Sequence, residues 1–435
     1  MSEQTFLTHL QSQWEKKQDG PLKTLRAKGF QKLAEMGFPT RSHEAFQYVP
    51  LREFYLSSFG SATPCHIDKS DFSQAILPEC EHSHLVFVDG FFAPTLSDVT
   101  ALPSQMVISS LDDALLTHGS FLQSHLARVL KEEKDPFALV NLALHAKGAF
   151  VYLPPKLEAL SPLQCLYVTT TKVPQLIAPR MHLALGTHSH LRCVITHHKM
   201  EMDTAHWIAP ALEISLEEGA YLDLFNLVDS TTDWQFETLR AQLKRNARFN
   251  SLSVTFGSKA IRQSYRVQLQ GENSEANLNG LSALSGGHTA HTHATMEHEA
   301  PHTRSRQTFK GMLNDHSQSS FEGKIWVQPI AQKTEAYQVN HNLLLSQGAV
   351  ANSKPNLEIF ADDVKASHGA TISRLDEEQL FYLKTRGIDP ISAKGLLTQG
   401  FCREMIGQIP YDSLLQRLSL ALQQIKVVRE EPRRV

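Results

Sequence analysis

One short pattern recurs along the middle of this chain and constrains its fold more than any other feature. A small residue is followed two positions later by an apolar one, then by a variable, mostly polar one. It occurs as Ser189-His-Leu191-Arg, Ala220-Tyr-Leu222-Asp, Ala247-Arg-Phe249-Asn, Ala276-Asn-Leu278-Asn, Ser319-Ser-Phe321-Glu and Ala349-Val-Ala351-Asn. Successive starts differ by 31, 27, 29, 43 and 30 residues. Four of these five spacings lie near 30. The 43 fits one period plus an insertion, and that interval holds a His-rich stretch, 288–302. A period of this size means stacked units that cannot bury their apolar faces alone.

The texture around the repeat identifies the unit. From about residue 145, apolar and polar residues alternate in short runs such as Met181 to Ile195, Ala211 to Leu227 and Ile325-Trp326-Val327. Period-two alternation predicts half-buried strands, so the unit reads as one coil of a β-solenoid. A sandwich or barrel remains open on this pattern alone. Helical spacing brackets the strand region. Phe6, Leu7, Leu10 and Trp14 form one amphipathic face, and Leu22, Leu25, Leu33 and Met36 another, ended by Gly37-Phe38-Pro39. Leu85 to Val88 reads as a buried strand before an Asp89-Gly90 turn, and Leu111 to Leu130 returns to helical spacing. After about residue 371, Asp376 and Asp389-Pro390 open two helices. A last stripe runs through Leu414, Leu415, Leu418, Leu422 and Ile425, suited to an internal core or a docking face. The division is thus 1–140 helical and mixed, 141–371 strand-rich, and 372–435 helical.

Composition excludes several classes of function. Lys+Arg is 42 and Asp+Glu 45, giving a net charge of -3, without the basic excess of a nucleic-acid binder. No apolar run approaches the roughly 18 residues of a membrane span. The polar Met1 to Lys17 segment is not a secretory signal. A soluble, cytoplasmic protein is expected. Five cysteines without a CxxC pair (Cys65, Cys80, Cys165, Cys193 and Cys402) argue against a disulfide framework or a four-thiolate metal site. No nucleophile elbow, P-loop or dinucleotide fingerprint is present.

Two stretches could carry chemistry of their own. On a strand, His291 and His293 share a face and could ligate one metal, with His298 or Glu299 completing the set from an adjacent turn. A metal-dependent solenoid enzyme using the His288–His302 stretch is one reading; a solvent-facing, His-rich strand edge is the other. Asp362-Asp363 could be the acid pair of a solenoid glycosidase or lyase, or a turn between coils.

A long segment points elsewhere. It runs from Asn352-Ser-Lys-Pro355-Asn-Leu-Glu through Ala361-Asp362-Asp363-Val364-Lys365-Ala-Ser-His368-Gly369 to Gln379-Leu-Phe381-Tyr382-Leu-Lys-Thr-Arg386-Gly387-Ile388. With Arg41-Ser-His-Glu44, Val88-Asp89-Gly90-Phe91 and Phe309-Lys310-Gly311, it resembles the SufB/SufD family, scaffold subunits of the SUF iron–sulfur cluster assembly machine. The chain is similar to the SufD branch, being short and without the N-terminal cysteine clusters of the SufB branch. The resemblance implies a mainly β fold, a right-handed parallel β-helix flanked by N-terminal and C-terminal helical regions. It implies a scaffold rather than an enzyme, paired with a SufB-like subunit, with a homodimer when isolated as an alternative. A SufC-like ABC ATPase would supply the ATPase activity and bind the C-terminal helices through Gln379, Phe381, Tyr382 and Arg386. No cluster would be held stably by this chain alone. A transient iron–sulfur cluster, or iron, would sit at the subunit interface with His368 as a nitrogen ligand. His368 is expected at a turn beside Gly369, where its ring could instead cap the last coil. Many family members carry a cysteine two residues before that histidine; here the position is Ala366.

Overall fold

The computed structural model describes residues 3–17, 20–117, 130–145, 147–229 and 232–425, with Gly119, Leu122 and Leu126. Two sheets face each other across a common interior. Consecutive strands alternate between them, so each coil gives one strand to each sheet. Seven coils run from Arg180–Leu185 with His190–Lys199 to Val350–Ile359 with Val364–Arg374. Neighbouring coils pair in parallel and in register. The architecture is a β-solenoid flanked by helices. The second sheet also takes in His84–Val88, paired with Leu163–Thr169. The sheets therefore reach back into the N-terminal region and forward to Arg374, three residues beyond the boundary read from sequence.

The register explains the repeat. Ser189, Ala220, Ala247, Ser274, Thr303 and Thr334 stand one position before register-paired residues of the second sheet. Each follows a residue with positive φ: His188, Gly219, Asn246, Asn273, His302 and Lys333. A left-handed residue turns the corner, and a small one fits inside it. Where the small residue carries a hydroxyl, it donates to the carbonyl three residues back, as Ser189 does to Gly186 and Ser274 to Gly271, both at 2.7 Å. Ala276 lies two positions past its corner residue Ser274, in register with Phe249, and Ser319 and Ala349 belong to the first sheet, at or beside its own strand starts. The 43-residue interval is thus a change of sheet and contains no insertion. Residues 288–302 form an ordinary coil, with Thr289–His298 paired on both sides.

Each sheet has its own helical cover. The N-terminal helices Glu3–Trp14 and Lys23–Met36 and the buried helix Pro136–Leu144 pack on the outer face of the first sheet. Phe6, Phe54 and Phe137 meet Trp207, Trp234 and Phe236 there. The C-terminal helices Pro390–Ile406 and Asp412–Gln424 cover the second sheet, setting Met405, Leu414 and Leu418 on Leu252, Leu281 and Met312. That stripe is internal core. Much of the helix read over Leu111 to Leu130 lies outside the described residues, which give Leu111–Thr117. The tail from residue 426 also lies outside them. No described helix is long and apolar enough to cross a membrane.

Coil stacking leaves no space at some corners. A Cβ on Gly271 would lie 1.9 Å from the Arg245 amide nitrogen and 2.3 Å from the Lys244 carbonyl carbon, both rigid backbone. At Gly287 nothing lies within 4 Å. Gly271→Ala is expected to cost at least about 2 kcal/mol in chemical denaturation, because two coils must separate. Gly287→Ala is expected to stay within about 0.5 kcal/mol. Equal effects at the two positions would contradict the stacking account.

Candidate functional site

The solenoid ends openly. The two strands of the last coil pair with Gln318–Val327 and Thr334–Leu344 on one edge each, and no described strand pairs with the other edge. Between residues 350 and 374 only Ala361 is buried. An unpaired edge of this length is a ready template for another chain.

His368 lies in the middle of the last strand, paired in register with Gln338. The expected turn beside Gly369 is not there. Gly369 continues the strand, and a Cβ on it would meet only Val339 Cγ1 at 3.9 Å. The chain turns instead at Asp362-Asp363 and again after Arg374. Strand alternation sets His368 on the same side as Val364 and Ala366, which pack against the interior cluster. The imidazole therefore stands on the interior face, and it is exposed because no coil follows. No described residue hydrogen-bonds its ring, so it does not cap the coil through a carbonyl.

The weaker candidates are not brought together. His291 and His293 share the outer face of the first sheet, whereas His298 points into the interior. An odd separation of five residues on a strand puts them on opposite sides. His298 is saturated, its two ring nitrogens bonded to Thr303 and Ser305 at 2.7 and 2.8 Å. His291 Nδ1 bonds Ser320 Oγ at 2.8 Å. Glu299 accepts from Gln268 at 3.0 Å, just past the strand end. Thr289–His298 is an inner strand of its sheet rather than a solvent-facing edge. Among the described residues, no group of three or more His, Cys, Asp or Glu side chains is close enough to hold a metal. Asp362 and Asp363 are exposed turn residues, with the Asp363 amide donating to Gln332 Oε1 at 2.9 Å.

Gln379, Phe381 and Tyr382 lie on the helix Glu377–Thr385, with Arg386 at its C-cap. Asp376 caps the helix by accepting from the Glu378 amide at 2.8 Å. This helix buries none of its residues; Phe381 is 68% and Tyr382 56% exposed. The Arg386 guanidinium sits 5.1 Å from the Tyr382 ring centroid.

Sequence reading missed an ionic seam between the N-terminal region and the first sheet. Arg240 grips Glu133 in a two-point contact at 2.8 and 2.9 Å, Arg262 meets Asp135 at 2.5 Å, and Arg266 bridges Glu297 and Glu132. Burial would raise the Asp135 carboxyl, but Arg262 and Arg240 hold it down at about 2. The seam borders a groove of about 830 Å³ that also takes in His293, Trp326 and Phe360. The 26-residue step from Arg240 to Arg266 was the available signal, since that spacing sets both in one row.

The fold and its open end define a β-solenoid protein with helices on both outer faces. Residues 167–401 match the SufBD core domain of the SUF system for FeS cluster assembly, and residues 3–165 match the SufBD protein N-terminal region. The chain belongs to the SufBD family of iron–sulfur cluster assembly proteins. It is 30% identical to the iron–sulfur cluster assembly protein SufD of Escherichia coli, over 89% of each chain. It is also 30% identical to a SufBD family protein of Synechocystis, over 89% of this chain and 87% of that one. The chloroplastic protein ABCI7 of Arabidopsis thaliana is 26% identical over 90% of this chain and 83% of its own.

Buried His291 and His298, with half-buried His293, make stability depend on pH. Burial lowers His291 to about 3, His293 to about 4 and His298 to about 3, with Arg262 adding to the effect at the first two. Unfolding returns each to about 6.5, so below that pH the unfolded chain binds more protons. Stability from these groups is present above pH 6.5 and is lost as pH falls towards 4. His293→Gln is expected to flatten the slope of unfolding free energy between pH 6 and 4.5 by about 1.4 kcal/mol per pH unit. Urea titrations across that range measure it, and an unchanged slope would show that the ring is not buried neutral.

Proposed function

We propose that this chain is a SufD-like scaffold subunit of a SUF complex, non-enzymatic itself, that pairs through its open solenoid end with a SufB-like subunit. The exposed imidazole of His368 on the unpaired last coil carries this reading. Neutral imidazole can replace thiolate on iron, and a ligand shared across an interface needs no local cysteine set. The cluster is cargo, built between subunits and passed on. Thiolate and carboxylate ligands come from the partner, because Ala366 supplies none and four of the five cysteines are buried. Burial pushes the Cys80 and Cys402 thiols up to about 12, which suits packing rather than iron ligation.

The exposed face of the Glu377–Thr385 helix, with Phe381, Tyr382, Gln379 and Arg386, is the surface for a SufC-like ABC ATPase. Hydrolysis there would bias a two-state arrangement of the scaffold subunits and open the interface where the cluster forms.

Two measurements test the proposal in the assembled three-protein complex. His368→Ala is expected to leave assembly intact and lower cluster yield severalfold in anaerobic reconstitution; an unchanged yield would defeat the ligand role. Phe381→Ala with Tyr382→Ala is expected to weaken ATPase binding at least tenfold without changing the melting temperature, since neither side chain is buried. The isolated chain is expected to yield little cluster absorption after desalting.

A further inference from the structure

Register aligns one column of side chains on the interior face of the second sheet: Leu278, Gln307, Gln338 and His368. Gln307 and Gln338 are both fully buried. Gln338 Nε2 donates to Gln307 Oε1 at 3.1 Å. Gln338 Oε1 is buried without a hydrogen-bond partner. The next side chain in the column is the His368 imidazole, whose ring no described residue hydrogen-bonds. Opposite lies Gly323, where a Cβ would come within 2.3 Å of Gln338 Nε2. Only glycine at 323 leaves room for this amide, and the close wall restricts where it can go.

We propose that Gln338 is a positioning residue for His368: its Oε1 accepts the N–H of one imidazole nitrogen and leaves the lone pair of the other directed off the open end. An unpartnered buried carbonyl costs free energy until a donor reaches it; Gln307 Nε2, the other unpartnered amide atom of this column, belongs to the side chain that already accepts from Gln338 Nε2, and on the open side the adjacent ring offers the N–H. Stacked residues in parallel register lie about 4.8 Å apart, within reach of a glutamine and an imidazole. Fixing one nitrogen as donor fixes the tautomer and presents the other as a ligand, the role that an acceptor behind a metal-binding histidine plays. The consequence for cluster binding rests on the ligand role proposed above; the tautomer does not.

The test uses the full chain labelled with ¹⁵N-histidine. Long-range ¹H–¹⁵N correlation at pH 7.5 reads which ring nitrogens are protonated, with His368→Gln identifying the signal. The wild type is expected to show one protonated and one unprotonated nitrogen, without averaging. Gln338→Met keeps length and removes the acceptor, and is expected to average the two. Gln338→Glu keeps an acceptor and is expected to restore the single tautomer. Averaged nitrogens in the wild type overturn the proposal without recourse to a variant, as does a single tautomer that survives Gln338→Met. In the three-protein complex, Gln338→Met is expected to lower cluster yield severalfold and Gln338→Glu to retain most of it. If the tautomer depends on Gln338 while His368→Ala leaves yield unchanged, positioning stands and the ligand role fails.

Discussion

Everything in this molecule hangs on coils stacking in register. Each strand pairs in parallel with the equivalent strand one coil away, so any column of side chains continues through several coils. A left-handed corner residue followed by a small one repeats because a shift of one residue would exchange the interior and exterior faces of every later strand. In the earlier coils the columns are apolar, with Leu191, Leu222 and Phe249 in the shared core. Towards the open end they turn polar, with Gln307, Gln338, Asn340 and Asn342 buried and linked by amide hydrogen bonds. A buried amide is costly where a hydrogen bond is left unmet, as at Gln307 Nε2 and Gln338 Oε1, so this end is more particular about its neighbours than the apolar coils are.

The helical covers answer a different constraint. Both outer faces of the solenoid are apolar over several coils and must be removed from water. Aromatic packing does this on the first sheet, and the C-terminal helices do it on the second. The arginine–carboxylate seam then ties the Glu132–Asp135 segment to the first sheet. Its worth lies more in placement than in net stability, because desolvating paired charges offsets most of their attraction. The pairs hold the N-terminal region at one position along the solenoid, where Lys354 of the last coil pairs with Glu44.

The fold was largely legible because its rule is local. Corner chemistry and period-two alternation act over a few residues and recur, so six short matches sufficed to suggest stacked coils. What misled was also local. Corners and strand starts share the same small-x-apolar pattern, and only pairing shows that Ala276 lies past its corner and that Ser319 and Ala349 belong to the other sheet. The His288–His302 stretch looked like an insertion or an edge because composition does not report which neighbours a strand acquires. His368 drew attention by resemblance, but its mid-strand position and its stacking on Gln338 were invisible. They depend on register between residues thirty apart. The ionic seam was hidden for the same reason, since Arg240 and Glu133 lie 107 residues apart.

The histidines show how position in a stack decides chemistry. His197, His298 and His368 all stand on the interior face of the solenoid. Burial keeps His197 and His298 neutral, and neighbours occupy their nitrogens: Gln235 lies 3.3 Å from His197, and two hydroxyls bind His298. Each is a closed structural element. His368 has the same orientation and a buried glutamine behind it, but the coil that would have covered it is missing. The side chain that would otherwise be core stays open to solvent because the repeat stops there. At a last coil an interior-facing group meets solvent while the strand that carries it stays paired on its other edge, so a side chain held there keeps a rigid base and an open approach together.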